Sequence, residues 1–221
     1  MTANNTSIKK TPTAMLLIGP GCPHCAAMLQ NLEPLVKEGV IGRLTIVNVA
    51  AEPETAQAFG VRSVPWLQLG PFEFEGAQTG AELRRWAQAA TAPDGVERYI
   101  DQQLNSGRLV AVERMVRKHP ETLAALVPLV ANPETGIQTR VGIGALLESL
   151  RDSDLPYALA EPLAILVRHD DARVRADVCH YLGLTRNPAA VATLRERAAN
   201  DPDAEVREIA AESISELEAA R

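Results

Sequence analysis

The sequence predicts two folds in series: an α/β domain, then an all-α domain built of repeated helical hairpins. Three observations carry this. Strand-like and helix-like patterns alternate as far as residue 91. A turn cluster, Thr91-Ala92-Pro93-Asp94-Gly95, then interrupts the chain. Beyond it no strand pattern recurs, only helical stripes separated by Pro, Asp, Asn or Gly breaks. At 221 residues the chain is long enough for two cores. With only three Tyr, three Phe and two Trp, those cores rest on Ala, Leu and Val, which favours packed helices over a β-sandwich.

Residues 1–12 are polar and read as a disordered lead-in, so the α/β domain is expected over 13–92 and the helical one over 93–221. Ala14 to Ile18 is an apolar run that predicts a strand over 14–19. The turn Gly19-Pro20-Gly21-Cys22-Pro23-His24-Cys25 follows. Met28, Leu29, Leu32, Leu35 and Val36 then recur at helical spacing, predicting a helix over 22–38 that Gly39 and Gly42 close. Leu44-Thr45-Ile46-Val47 is apolar and β-branched, a strand over 43–49. Pro53 opens a short helix, 53–59, that Gly60 ends. Strands over 65–70 and 72–76 come next. Leu83, Trp86 and Ala90 set a buried stripe on a last helix, 79–91.

The net charge of −6 is unevenly placed: seven basic and seven acidic residues up to Ala92, then 15 basic and 21 acidic. An acidic domain lacks the clustered Lys and Arg that displace counterions from phosphates, so no nucleic-acid partner is expected. No apolar run approaches the roughly 18 residues of a membrane span, and no secretory signal is recognisable, so no membrane partner is expected either. The expected compartment is the cytoplasm. There a C-x-x-C is catalytic or metal-binding sooner than a structural bridge.

Cys22 and Cys25 bring two of the three cysteines to the start of a helix. Unpaired N–H groups and the helix dipole stabilise a thiolate at Cys22, lowering its pKa from about 8.5. Cys25, one turn deeper, stays a thiol until needed. Pro23 suits a first turn because its missing N–H has no partner there. A protonated His24 adds positive charge beside the thiolate, which stabilises the reduced pair and makes its disulfide more oxidising. No second C-x-x-C or C-x-x-H accompanies the motif, and His119, His169 and His180 lie far along the chain, so no metal and no cofactor is expected.

The order βαβ then ββα, with Cys22-Pro23-His24-Cys25 at the first helix and Phe59-Gly60-Val61-Arg62-Ser63-Val64-Pro65 about 40 residues later, resembles the thioredoxin superfamily. The resemblance implies a cis Val64–Pro65 bond lying against the cysteines, a substrate-binding wall at Val64, Pro65 and Trp66, and catalysis by Cys22, Pro23, His24 and Cys25. The sequence also departs from the family. Leu16 stands where thioredoxins commonly carry a buried acid, Gly21 where Trp usually precedes the first cysteine, and Trp66 where a small residue often follows the proline. The lead-in is closer to glutaredoxin-like members, whereas the Pro-His pair is similar to that of periplasmic disulfide oxidants. Trp66 is expected to occupy part of the groove beside the cysteines.

In the second domain, Ala131 to Ile137 aligns with Arg168 to Val174 and with Asn200 to Val206, steps of 37 and 32 residues. Each anchor is followed by an amphipathic stripe: Ile137, Val141 and Ala145; Val174, Val178, Tyr181 and Leu182; Val206, Ala210, Ser213 and Ile214. Asp171 to Arg175 and Asp203 to Arg207 share an Asp-x-x-Val-Arg heart that resembles HEAT repeats of the phycocyanobilin-lyase-like kind. The resemblance implies about four hairpins in a right-handed stack, capped by Glu205 to Arg221. Pro128 and Pro162 are expected to kink their helices. Arg175 and Arg207 are expected to hydrogen-bond between repeats. Cys179, aligned with Ala211 and Gly142, is expected to be a core thiol.

These features predict a thiol-disulfide oxidoreductase acting on protein disulfides, with the repeats recruiting a protein substrate or redox partner. The alternative, motivated by Leu16 and Trp66, is a redox-linked chaperone or assembly adaptor whose α/β domain is mainly a binding surface. The compartment favours reduction and the Pro-His pair favours oxidation, so direction stays open.

Overall fold

The computed structural model describes residues 11–219. The chain divides into two units, the first ending at Val96 and the second beginning at Glu97. Residues 1–10 of the expected lead-in lie outside the described residues; at Pro12 the chain already accepts a hydrogen bond from the Gly42 N–H at 2.9 Å.

The first unit runs β1 (Thr13–Ile18), α1 (Cys25–Lys37), β2 (Arg43–Asn48), α2 (Pro53–Ala58), β3 (Trp66–Leu69), β4 (Phe72–Glu75) and α3 (Gly80–Ala89). The four strands form one mixed sheet in the order β2-β1-β3-β4. β1 is parallel to β2 and antiparallel to β3, and β3 is antiparallel to β4. Side chains alternate across such a sheet. One face therefore carries Leu16, Leu67 and Phe74, in register across three strands, and α3 lays Trp86 against Phe72 and Phe74 at 5.3 and 5.7 Å between ring centres. The other face carries Leu17, Val47 and Trp66, which pack with Ala56 and Phe59 of the α2 segment.

The sequence-predicted elements stand within a residue or two of the observed ones, except at α1. Its expected start at Cys22 is corrected to Cys25, because Gly21 takes φ +72° and Pro23 and His24 complete a turn before the helix begins. In α1, Met28, Leu32 and Leu35 are buried, and in α3 so are Leu83 and Trp86. Thr79 caps α3 reciprocally with Glu82, each side chain bonding the other's backbone N–H.

The second unit is all helical: α4 (Gly95–Asn105), whose first turn spans the division, α5 (Leu109–Lys118), α6 (Leu126–Ala131), α7 (Ile137–Ser149), α8 (Ala160–Leu166), α9 (Ala172–Leu184), α10 (Ala190–Asn200) and α11 (Ala204–Ala219). Short 3-10 segments, Pro120–Ala125 and Leu155–Leu159, lead into α6 and α8. The expected kinks at Pro128 and Pro162 are corrected by this arrangement. Each proline is the third residue of its α-helix, where the missing N–H forfeits no intrahelical bond, and the discontinuity is a change of helix type.

The expected register of the first repeat is also corrected. Gly136, Asp171 and Asp203 are the residues preceding α7, α9 and α11, so the first step is 35 residues and Thr139 is the counterpart of Val174 and Val206. All three are buried, whereas Ile137 and Val141 are exposed at 68% and 63%. Thr139 passes as a core residue because its hydroxyl donates to Asp101 Oδ1 at 2.7 Å. The stripe on α9 is as expected, with Val174, Val178, Tyr181 and Leu182 buried; on α11 Val206, Ala210 and Ser213 are buried but Ile214 is only half-buried. Cys179 is fully buried, but Ala211, expected to share its setting, is exposed. The reason is position: α9 packs between α7 and α11, whereas α11 packs mainly on α9 and α10 and leaves the side bearing Ala211 exposed.

Candidate active site

β1 runs out at Ile18 into Gly19–His24, and this loop delivers Cys22 and Cys25 to the start of α1. The two sulfurs are joined in a disulfide, with 5.6 Å between the Cα atoms. Cys25 is buried as the first residue of α1, whereas Cys22 is half-buried and Pro23 and His24 are exposed. His24 occupies the position before the helix without a side-chain capping bond. The first regular helical bond runs from the Met28 N–H to the His24 carbonyl at 3.1 Å. The N–H groups of Ala26 and Ala27, ahead of it, lie before the ladder begins and point toward the helix start. A negative sulfur there meets partial positive charge.

Three further loops converge on this one. A Cβ added to Gly19 would lie 3.2 Å from Val49 Cγ2 and 3.3 Å from Val64 Cγ2, so the segments after β2 and before β3 close tightly on the cysteine loop at this glycine. The Val64–Pro65 bond is cis, as the resemblance implied. The Pro65 carbonyl accepts the Gly76 N–H at 2.9 Å, which brings in Gly76 to Thr79. That last loop is tied to α1 as well: Asn31 Nδ2 donates to the Gln78 carbonyl at 3.0 Å, and the Gln78 N–H donates to Met28 Sδ at 3.1 Å. Sequence reasoning missed this loop. Its one signal was the glycine at residue 76, which takes φ +80°.

The expectation that Trp66 intrudes into the groove is corrected. Its pairing with Leu17 turns the indole to the α2 face, where it is fully buried, 5.3 Å from the ring of Phe59. Its Nε1 finds no hydrogen-bond partner there. Leu16 is likewise fully buried. Val64 stays partly exposed and Pro65 is buried. Among the described residues no group of three or more His, Cys, Asp or Glu side chains is placed to hold a metal ion.

In the second unit the functional side chains are structural arginines. Arg175 forks onto Asp201, Nε to Oδ2 and Nη2 to Oδ1, both at 2.9 Å, and its Nη1 donates to the carbonyls of His169 and Asp170. This is the expected bond between repeats. Arg207 is corrected: its Nη1 donates to the carbonyls of Asp201 and Pro202, in the loop just before its own helix. Arg140, which the misplaced register hid, is their counterpart, donating to the carbonyls of Thr135 and Asn132 and pairing with Asp177 of α9. Burial alone would raise the Asp201 carboxyl, but hydrogen bonds from Arg175 and from the Asp203 N–H, with the nearby guanidinium charges, hold it below its ordinary value. Burial pushes the Cys179 thiol up to about 12, leaving it unreactive at neutral pH.

A mixed sheet with a Cys-x-x-Cys disulfide at its first helix and a cis-proline loop beside it defines a thioredoxin-type unit, and stacked helical hairpins define a solenoid. Comparison with family models agrees: residues 13–88 match the thioredoxin domain and residues 139–215 match HEAT repeats. The chain thus carries a thioredoxin-like domain followed by HEAT repeats. No curated protein matches it.

Proposed function

We propose that this protein is a thiol-disulfide oxidoreductase acting on protein disulfides, in which the helical unit recruits the protein partner. One observation carries the reading: the half-buried Cys22 and buried Cys25 share a disulfide at a helix start, within a thioredoxin-like domain. The difference in exposure supports Cys22 as the attacking sulfur and Cys25 as the resolving one. In the reducing direction, the Cys22 thiolate attacks one sulfur of the substrate disulfide and expels the other as a thiolate. The Cys25 thiol then loses its proton, attacks Cys22 Sγ and expels the second substrate sulfur. The protein is oxidised to its disulfide, the substrate is reduced to two thiols, and the two protons of the dithiol end on the released sulfurs. His24 and Pro23 shape the turn that presents Cys22, and an extended substrate lies along the backbone at Val64 and Pro65. In a cytoplasmic setting the cycle runs toward reduction.

Partner recruitment is supported by the exposed apolar side chains of Val110, Ile137 and Val141, 69%, 68% and 63% exposed. Ile137 and Val141 stand four residues apart on α7 and so share one face of that helix. The expected activity is reduction of insulin disulfides by the wild type and its loss in Cys22→Ser; equal rates would sink the proposal. In Cys25→Ser the mixed disulfide with Cys22 should persist. Equal trapping of partner when Ile137→Glu is added would count against recruitment by this face.

A further inference from the structure

We infer that Arg62 selects substrates in which the cysteine attacked by Cys22 is flanked by acidic side chains. The inference rests on the oxidoreductase reading and names its substrate class. Three loops, Val49–Glu52, Val61–Pro65 and Gly76–Thr79, gather around Gly19–His24, the loop that carries Cys22, joined by the contacts of Gly19 with Val49 and Val64 and by the bond from Gly76 to Pro65. Apart from the cysteines, the ionisable side chains on these loops are His24, Glu52 and Arg62. All three are exposed, and neither Arg62 nor Glu52 engages its side chain in a hydrogen bond or ion pair among the described residues. The rim is therefore polarised, with the cation before Val64 and the carboxylate beyond Val49.

The two charges do not act on the same part of a substrate. A segment lying along Val64 and Pro65 passes Arg62, which is two residues away, a span of about 7 Å that an extended arginine covers. Glu52 stands on the opposite side of Gly19, three residues beyond Val49. Residues next to the substrate cysteine thus meet positive charge first. An unpaired guanidinium gains a partner only when substrate arrives, so its attraction acts on encounter and on binding and is screened by salt.

The probes are two synthetic peptide disulfides, identical except for a Glu-Glu or a Lys-Lys pair beside the cysteine, together with neutral hydroxyethyl disulfide. The readout is the ratio of second-order rate constants, acidic over basic, for reduction by the dithiol protein. At low ionic strength the wild-type ratio should be about threefold, as for a single exposed charge pair. It should fall to about one in Arg62→Gln, invert in Arg62→Glu, and collapse toward one at high salt. A wild-type ratio at or below one, or a ratio that persists in Arg62→Glu, overturns the assignment. If the wild type leaves hydroxyethyl disulfide untouched, the oxidoreductase reading fails and this inference with it. Reduction of the neutral disulfide with a ratio indifferent to Arg62 overturns the inference alone.

Discussion

Asp201→Asn should cost the helical unit about 3–5 kcal/mol while leaving the first unit in place. The Asp201 side chain is fully buried and the Arg175 side chain is 9% exposed. The carboxylate accepts both arms of the Arg175 fork at 2.9 Å, the Asp203 N–H at 3.0 Å and Arg197 Nη1 at 3.3 Å. Asparagine keeps the shape but turns one acceptor into a donor aimed at a guanidinium, and it removes the only carboxylate on which the Arg175 side chain forks. What is lost is the compensation of a buried charge, and that cost exceeds the modest net worth of the intact pair. With a urea m-value of about 2 kcal/mol/M, the transition midpoint should fall by roughly 1.5–2.5 M. Both tryptophans, Trp66 and Trp86, belong to the first unit, so indole emission follows that unit while far-UV circular dichroism is dominated by the helices. A dichroism midpoint lowered by less than about 0.5 M would refute the reasoning, given the size of the buried-charge penalty. So would a tryptophan midpoint that moves with it.

Acid should weaken the same unit in a defined window. Asp171 caps α9, and its carboxyl is held at about 2 by the Arg173 side chain first and then by the N–H groups of Arg173 and Val174; Asp201 is also held below its ordinary value. A carboxyl lowered in the folded state stabilises above its unfolded pKa, about 3.9, and that contribution is lost as pH falls through the folded value. The dichroism-monitored midpoint should therefore drop between about pH 4 and pH 2, less steeply in Asp201→Asn; a flat profile would contradict this. Trp66→Phe should shift stability of the first unit by less than about 1 kcal/mol, read from Trp86 emission. Removing an unsatisfied buried N–H offsets the void left by the smaller ring. A loss near that of Trp66→Ala, about 3–5 kcal/mol, would show that the indole N–H has a partner.

The first unit was legible because its signals are local and redundant. Glycines and prolines punctuate short elements, and the Cys22-to-Cys25 and Val64–Pro65 motifs report a juxtaposition that the sheet register then enforces. Trp66 was misplaced because a residue beside a proline declares neither which strand it faces nor which side of the sheet it joins. Its burial follows from pairing with Leu17, a contact about 50 residues away in sequence. The Gly76–Thr79 wall was silent for the same reason, since its place depends on Pro65, Met28 and Asn31.

The repeats failed at one register for an instructive reason. Alignment on the breaks between helices, with Asn132-Pro133 set beside Asp201-Pro202, placed Ile137 on Val174, although Ile137 faces solvent and the buried counterpart is Thr139. The invariant that organises the three hairpins is polar: an arginine at the fourth position of the second helix, Arg140, Arg175 or Arg207, donating to carbonyls of the loop just before it. A loop between two helices ends one with unpaired carbonyls, and a guanidinium with five donors can satisfy two of them and still reach a carboxylate. Arg140 and Arg175 do reach one, Asp177 and Asp201, each farther along the stack. Lysine, with a single ammonium, cannot hold those directions at once. Aligning this chain on arginine spacing therefore recovers the step of 35 residues that aligning it on its Asn-Pro and Asp-Pro breaks misses.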